Sequence, residues 1–288
     1  MKAIIFGAGG QDGHYLSALL QQKNCEVIGV SRRGDFLRTD ITDYASVEDL
    51  IREHKPAFVF HLAANSTTSH SAMFENHATI ATGTLNILEA VKNNLPSTKV
   101  FISGSGLQFS NNNKPIKESD PFEARDAYSV SRIESVYAAR YFRSLGIKAY
   151  VGYFFNHDSP LRTERHMTKK IAEAAKRIAA GSNEKIAIGD VEAVKEYTYA
   201  GDIAKGILTL IEQDEIVEAN ISSGKGYSIK QWLEQCFSIV NKNWNDYVTV
   251  NPEFVPDYKQ LVSDPSVILS LGWKPEMSFE ELAQLMMQ

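Results

Sequence analysis

Lys2-Ala3-Ile4-Ile5-Phe6-Gly7-Ala8-Gly9-Gly10-Gln11-Asp12-Gly13 sets five strand-forming residues directly before a glycine-rich turn. Gly7, Gly10 and Gly13 have the G-x-x-G-x-x-G spacing, which permits a tight turn, close approach of a pyrophosphate and close helix–sheet packing. Gln11 and Asp12 fall within the same turn, where an anion faces a helix N-terminus. A glycine string alone is weak evidence. Here a strand precedes it, and Tyr15, Leu16, Leu19 and Leu20 follow at helical spacing, so the turn is read as a dinucleotide-binding loop.

Working outward, strands and helices keep alternating. A second strand covers Glu26 to Val30, and Asp43 caps a helix whose Val47, Leu50 and Ile51 form one stripe that stops before Pro56. An apolar strand runs from Ala57 to Leu62, a helix carries Ile80, Thr84, Ile87, Leu88 and Val91, and a further strand spans Lys99 to Ser103. The next helix begins near Ala127 and ends by Gly146, and another strand runs from Lys148 to Phe154. Strands buried on both faces and separated by helices predict an α/β fold, a doubly wound parallel Rossmann sheet with a smaller C-terminal substrate-binding lobe. The expected boundaries are 1–155 for the dinucleotide-binding domain, with 182–211 returning to it, and 156–181 plus 212–288 for the lobe.

Composition narrows the classes of function. Of 288 residues 43% are hydrophobic and 23% charged, and the net charge of -5 is spread without a basic face, which argues against nucleic acid as a partner. No apolar run approaches the roughly 20 residues that span a bilayer, so no membrane association is expected. The opening strand is too short for a signal peptide, and a cytoplasmic location is expected. Cys25 and Cys236 have no partner at metal-ligand spacing and read as small buried hydrophobes; no metal is expected.

The second strand ends in Val30-Ser31-Arg32-Arg33 rather than in a carboxylate. Arginine accommodates a 2′-phosphate with planar donors, so NADP(H) is favoured, while Asp35 nearby leaves NAD use open. Asp40 and Ile41 fall where an adenine edge would lie. Leu62, Ala63 and Ala64 bring small residues and backbone near the pyrophosphate, and Phe154 ends a strand at the cofactor side.

A third constellation carries the chemistry. Tyr128 and Arg132 are four residues apart on one helix and share a face, and Ser105 lies just past a strand at the carboxyl edge of the sheet. A tyrosine beside a fixed cation exchanges a proton with a carbonyl or alcohol, and a serine hydroxyl polarises the same oxygen. The competing reading is a packed core tyrosine beside a surface arginine; the glycine loop and Ser105 favour catalysis.

The glycine loop, His61-Leu62-Ala63-Ala64, Ser105 with Tyr128, Asn156-His157-Asp158-Ser159-Pro160 and Leu271-Gly272-Trp273-Lys274-Pro275 together resemble the extended short-chain dehydrogenase/reductase family. The branch of GDP-mannose 4,6-dehydratases and GDP-4-keto-6-deoxymannose reductases is the most similar, over nearly the whole chain. The resemblance implies that Asn156 and His157 line a sugar-nucleotide cleft and that Lys170 and Lys195 face the diphosphate. It also implies a homodimer joined through the helices at 79–94 and 127–145.

Three departures from that pattern stand out. Leu107 occupies the position of the dehydratases' proton-abstracting glutamate, Arg132 replaces the usual lysine, and Val255 replaces a diphosphate-binding arginine. The expected function is an NADP(H)-dependent reductase or dehydrogenase acting on a keto or hydroxyl carbon of a nucleoside-diphosphate sugar, GDP-linked for preference. Open alternatives are a nucleotide-sugar epimerase, a 4,6-dehydratase, or a catalytically degenerate NADP-binding regulatory protein.

Overall fold

Successive side chains of a strand point to opposite faces of its sheet, so Ile4 and Phe6 enter one apolar cluster while Ala3 and Ile5 enter another. A computed structural model describes residues 1–32, 34–251, 253–254 and 258–288. It places β1 at Lys2–Phe6, α1 at Gln11–Gln22, β2 at Glu26–Val30, α2 at Tyr44–His54 and β3 at Phe58–His61. Next come α3 (Met73–Asn76), α4 (Gly83–Asn94), β4 (Lys99–Ser105), α5 (Ala127–Ser144) and β5 (Ala149–Phe154). Beyond β6 (His157–Asp158) and α6 (Met167–Ala179) lie β7 (Ile186–Ile188), β8 (Val194–Glu196), β9 (Thr198–Tyr199), α7 (Ala200–Ile211) and β10 (Glu218–Ile221). The chain continues through β11 (Gly226–Ser228), α8 (Ile229–Ile239), β12 (Val248–Val250), β13 (Gln260–Leu261), α9 (Ser266–Ser270) and α10 (Phe279–Met287).

The central sheet has six strands in the order β10-β5-β4-β3-β1-β2, and every pair in it is parallel. Helices α2, α4 and α5 cover one face through Val47, Leu50, Ile87, Val91 and Val136; α1 and α7 cover the other through Leu16, Leu20, Ile203 and Ile207. This is the doubly wound arrangement expected. The strand order reverses beside β1, and ligands bind at such a switch point, outside the carboxyl ends of the strands.

Three boundaries differ from the expectation. Strand β4 runs on to Ser105, which is therefore the strand's last residue rather than a loop residue. The helix expected around Ile80 begins with a π-helical turn, His77–Thr82, before α4. The segment that returns to the sheet is 200–221, not 182–211, because β7 pairs with β12 and β8 with β11 and β13 in the lobe, whereas β10 pairs with β5.

The Leu-Gly-Trp-Lys-Pro motif anchors the return. Trp273 donates its indole N–H to the Asp202 carbonyl at 2.9 Å, and the Asp202 carboxylate accepts from the backbone N–H groups of Glu276 and Met277. The lobe has a separate core of α6, α8 and α10 around fully buried Trp232, whose ring stacks on Tyr197 and whose N–H bonds the Thr168 carbonyl.

At the sheet edge, Glu218 accepts from Arg140 at 2.7 Å, from the Tyr153 hydroxyl at 2.6 Å and from Arg143. Burial alone would raise its pKa, but these donors hold it down, to about 2. A depressed carboxylate contributes stability above its unfolded pKa and loses it as pH falls through the folded one. Glu218→Gln is therefore expected to cost about 3 kcal/mol at pH 7. The difference from the wild type should shrink as pH falls from about 4.5 towards about 2, and chemical denaturation at pH 7 and pH 3.5 checks it.

Candidate active site

A cleft of about 660 Å³ opens over the carboxyl ends of β1, β4 and β5 and is walled on one side by the segment between β6 and α6. One end of it is built by the glycine loop. Gly7 has φ +94°, and a Cβ there would meet the Ala63 nitrogen at 2.7 Å; a Cβ on Gly13 would meet the Gly7 oxygen at 2.4 Å. Side chains are thus excluded at both ends of the turn, so that Gly9 and Gly10 present bare backbone to the cleft at the start of α1. That geometry fits a pyrophosphate. Leu62 and Ala64 line the same end, whereas Ala63 lies beneath Gly7 and packs against the core.

Gln11 and Asp12 reach across the cleft rather than into it. The Gln11 side chain accepts from the Ser159 hydroxyl at 2.9 Å and donates to the His157 carbonyl at 3.3 Å. Asp12 lies 2.8 Å from Nε2 of buried His157. Phe154 packs edge-on against the His157 ring, and Asn156 lines the cleft with its buried Oδ1 unbonded.

Ser105, Tyr128 and Arg132 meet on the cleft floor. Asp126 caps α5 by accepting from the N–H groups of Tyr128 and Ser129, which sets the rotation of the helix and turns Tyr128 to the cleft. Oγ of Ser105 accepts the Leu107 N–H at 3.2 Å, which leaves the hydroxyl proton available to a ligand. Arg132 is buried, with its guanidinium 4.9 Å from the centre of the Tyr128 ring and Nη1 donating to the carbonyl and hydroxyl of Ser103. It is not a surface residue. Behind it, burial foremost and then Arg132 lower the pKa of His61 to about 4, so the ring is neutral, and its Nε2 faces the Ile80 carbonyl of the π-helical turn.

Other expected residues lie elsewhere. Arg32 is exposed, is not among the residues lining the cleft and pairs with Glu75 at 2.9 Å, and Arg33 and Val255 lie outside the described residues. Asp40 bonds the Thr42 N–H and hydroxyl in its own turn, while Ile41 is buried and its carbonyl accepts from Asn86. Lys170 does not face the cleft, since it is exposed on α6 and donates to the Ala187 carbonyl of β7. Lys195 lines a neighbouring cavity of about 150 Å³, under the Tyr258 ring that borders both spaces. Among the described residues the arginines that line the main cleft are Arg162 and Arg165, with Arg132 on its floor. Sequence reading passed over the first two, although both follow closely on the Asn156–Pro160 run.

A sequence profile of the family described as GDP-mannose 4,6 dehydratase matches residues 4–286. The chain belongs to that family. GDP-mannose 4,6 dehydratase 2 of Arabidopsis thaliana is 30% identical to this family member, across 99% of this chain and 85% of the relative. The GDP-mannose 4,6-dehydratase of Vibrio cholerae is 28% identical across 100% and 93%. Membership places the protein among nucleotide-sugar enzymes.

Solved structures share its fold. UDP-glucose 4-epimerase of Thermus thermophilus in complex with NAD has a TM-score of 0.85 at 21% identity, covering 100% of this chain and 98% of that one. RMD of Pseudomonas aeruginosa complexed with NADPH also has a TM-score of 0.85, at 20% identity, covering 99% and 96%. The fold of this dehydratase-family chain is therefore that of the extended short-chain dehydrogenases. The Leu107 side chain packs against the core beside the cleft. Among the described residues lining the cleft the one carboxylate is Asp12, which is engaged by His157.

Proposed function

We propose that this protein is an NADP(H)-dependent reductase or dehydrogenase of a nucleoside-diphosphate sugar, GDP-linked for preference, and that it does not eliminate water. One observation carries the reading. Ser105, Tyr128 and Arg132 converge on the cleft floor, and no uncommitted carboxylate stands beside them among the described residues.

The bound nicotinamide would supply or accept the hydride. Gly7, Gly10 and Gly13 shape the loop that holds its pyrophosphate, with Leu62 and Ala64 alongside, and Arg32, exposed just after β2, meets the 2′-phosphate. Ser105 donates its free hydroxyl proton to the sugar oxygen, and Tyr128 moves the proton at that oxygen through its phenol. Arg132 keeps a fixed positive charge against the ring of Tyr128, and its bonds to Ser103 tie that charge to the sheet. Arg162 and Arg165 supply positive charge for the substrate phosphates, with Asn156 beside them.

Incubating the protein with NADPH and a panel of keto-sugar nucleotides tests the proposal. Oxidation of NADPH that depends on the sugar nucleotide is expected. If NADPH binds but no member of the panel is turned over, the catalytically degenerate NADP-binding protein is the better reading.

Cofactor choice follows from Arg32. NADP(H) is expected to bind more tightly than NAD(H) by about 1–3 kcal/mol, the range of a charge-assisted contact to phosphate. Arg32→Ala should remove most of that gap in calorimetry, and equal wild-type affinities would overturn the assignment.

Homodimerisation is also proposed. Val130, Tyr137 and Tyr141 are exposed along one stripe of α5, and Leu85 is exposed on α4, an apolar surface suited to packing against its own copy. Sedimentation should give a dimer that Tyr137→Glu weakens at least tenfold.

A further inference from the structure

An acidic residue in the first turn of a dinucleotide-binding helix is unexpected, because its charge competes with the pyrophosphate for the same N–H groups and the same end of the helix dipole. Asp12 is such a residue. Its partner is His157, whose Nε2 is 2.8 Å from Oδ1 of Asp12 and whose Nδ1 is 2.7 Å from the Phe155 carbonyl. A carbonyl and a carboxylate only accept, so an imidazole bonded to both carries a hydrogen on each nitrogen and is a cation.

We infer that His157 is a resident imidazolium whose charge cancels that of Asp12, keeping the dinucleotide loop open to an anion while fixing the 157–166 segment against α1. His157 is thereby a positioning residue for the cofactor loop rather than a group that binds the sugar. This rests on the proposed function in so far as the anion is the pyrophosphate of a nicotinamide dinucleotide.

The surroundings agree. Charged and titratable groups acting on the ring are Asp12 from α1, and Arg162 and His166 from the segment that follows β6, while Asp158 of β6 pairs with Arg162. Burial by itself favours the neutral ring, yet Asp12 raises the pKa of His157 above its ordinary value. Burial likewise opposes ionisation of Asp12, and His157 holds its carboxyl below the usual range. Arg162 donates to the His157 carbonyl at 2.9 Å and lies 3.5 Å from Asp158; its charge also favours the ionised Asp12, after that of His157, and opposes the charge on His157. Because the pKa of His157 is raised, the pair is intact below the ordinary histidine value and is lost as pH rises through the raised one. Asp12 then lacks the charge of His157 beside the pyrophosphate.

The test is a cycle of NADPH affinities measured by calorimetry. His157→Gln keeps one donor without the charge and is expected to weaken binding about tenfold, the order of one unscreened charge near an anion. Adding Asp12→Asn in the same chain should restore affinity to within about threefold of the wild type, since neither charge remains. Wild-type affinity should fall at alkaline pH and that of Asp12→Asn should not.

Nitrogen-15 NMR of imidazole-labelled wild type should show both ring nitrogens of His157 protonated at pH 7, a readout that needs no variant to fold. A double variant that binds no better than His157→Gln, or a singly protonated ring at pH 7, overturns the inference. A wild type that binds no nicotinamide dinucleotide overturns the proposed function and the cofactor half of this inference, and the ring signals then decide the charge state of the pair separately.

Discussion

Tyr128→Phe is expected to lower turnover of a keto-sugar nucleotide by about 10²–10⁴-fold, the range for loss of a positioned acid or base, while leaving NADPH affinity nearly unchanged. The ring's packing survives the substitution. Phenylalanine still presents a face to the Arg132 guanidinium, which sits 4.9 Å from the ring centre, so the helix, its Asp126 cap and the buried cation keep their places. Only the phenolic proton is lost. Stopped-flow oxidation of NADPH and a separate binding titration distinguish the two effects. A variant that turns over at the wild-type rate would make Tyr128 a packing residue and end the proposed mechanism. Arg132→Lys is the complementary variant. It keeps the charge but loses the planar contact to the ring and the paired bonds to Ser103, and it should remain active with a shifted pH–rate profile.

The second large effect concerns elimination. With GDP-mannose and NADP the protein should yield no 4-keto-6-deoxy product above background, because absence of a positioned general base costs about 10²–10⁴-fold. The expectation sets this chain apart from relatives named as dehydratases. It rests on Leu107, whose side chain is fastened to the core, and on the engagement of Asp12 by His157. Product formation is followed by proton NMR. Efficient dehydration would show that a group outside this arrangement removes the proton, and the reading of the Ser105–Phe109 stretch would have to change.

Much of the architecture was legible because it is written in short-range patterns. The β1 turn, the Asp43 cap, the end of α5 at Gly146 and the i,i+4 pairing of Tyr128 with Arg132 depend on neighbours within a turn or two, where residue type and spacing are decisive. The Leu107 departure was equally local. Where the chain returns to the sheet was not, since Glu218–Ile221 is a four-residue strand whose place is chosen by pairing with β5, and four residues carry too little periodicity to name a partner.

The cleft divides along the same line. By itself the sequence determined the doubly wound fold, the glycine loop and the shared helix face of Tyr128 and Arg132, because each follows from a repeat or a spacing that the backbone must obey. Tertiary structure alone decided that Arg132 is buried against Ser103, that Arg162 and Arg165 rather than Lys170 line the cleft, and that Asp12 finds His157 at a separation of 145 residues. Contacts of that kind are selected by burial and by the need to satisfy charges removed from water, and those constraints act only once the chain has closed on itself.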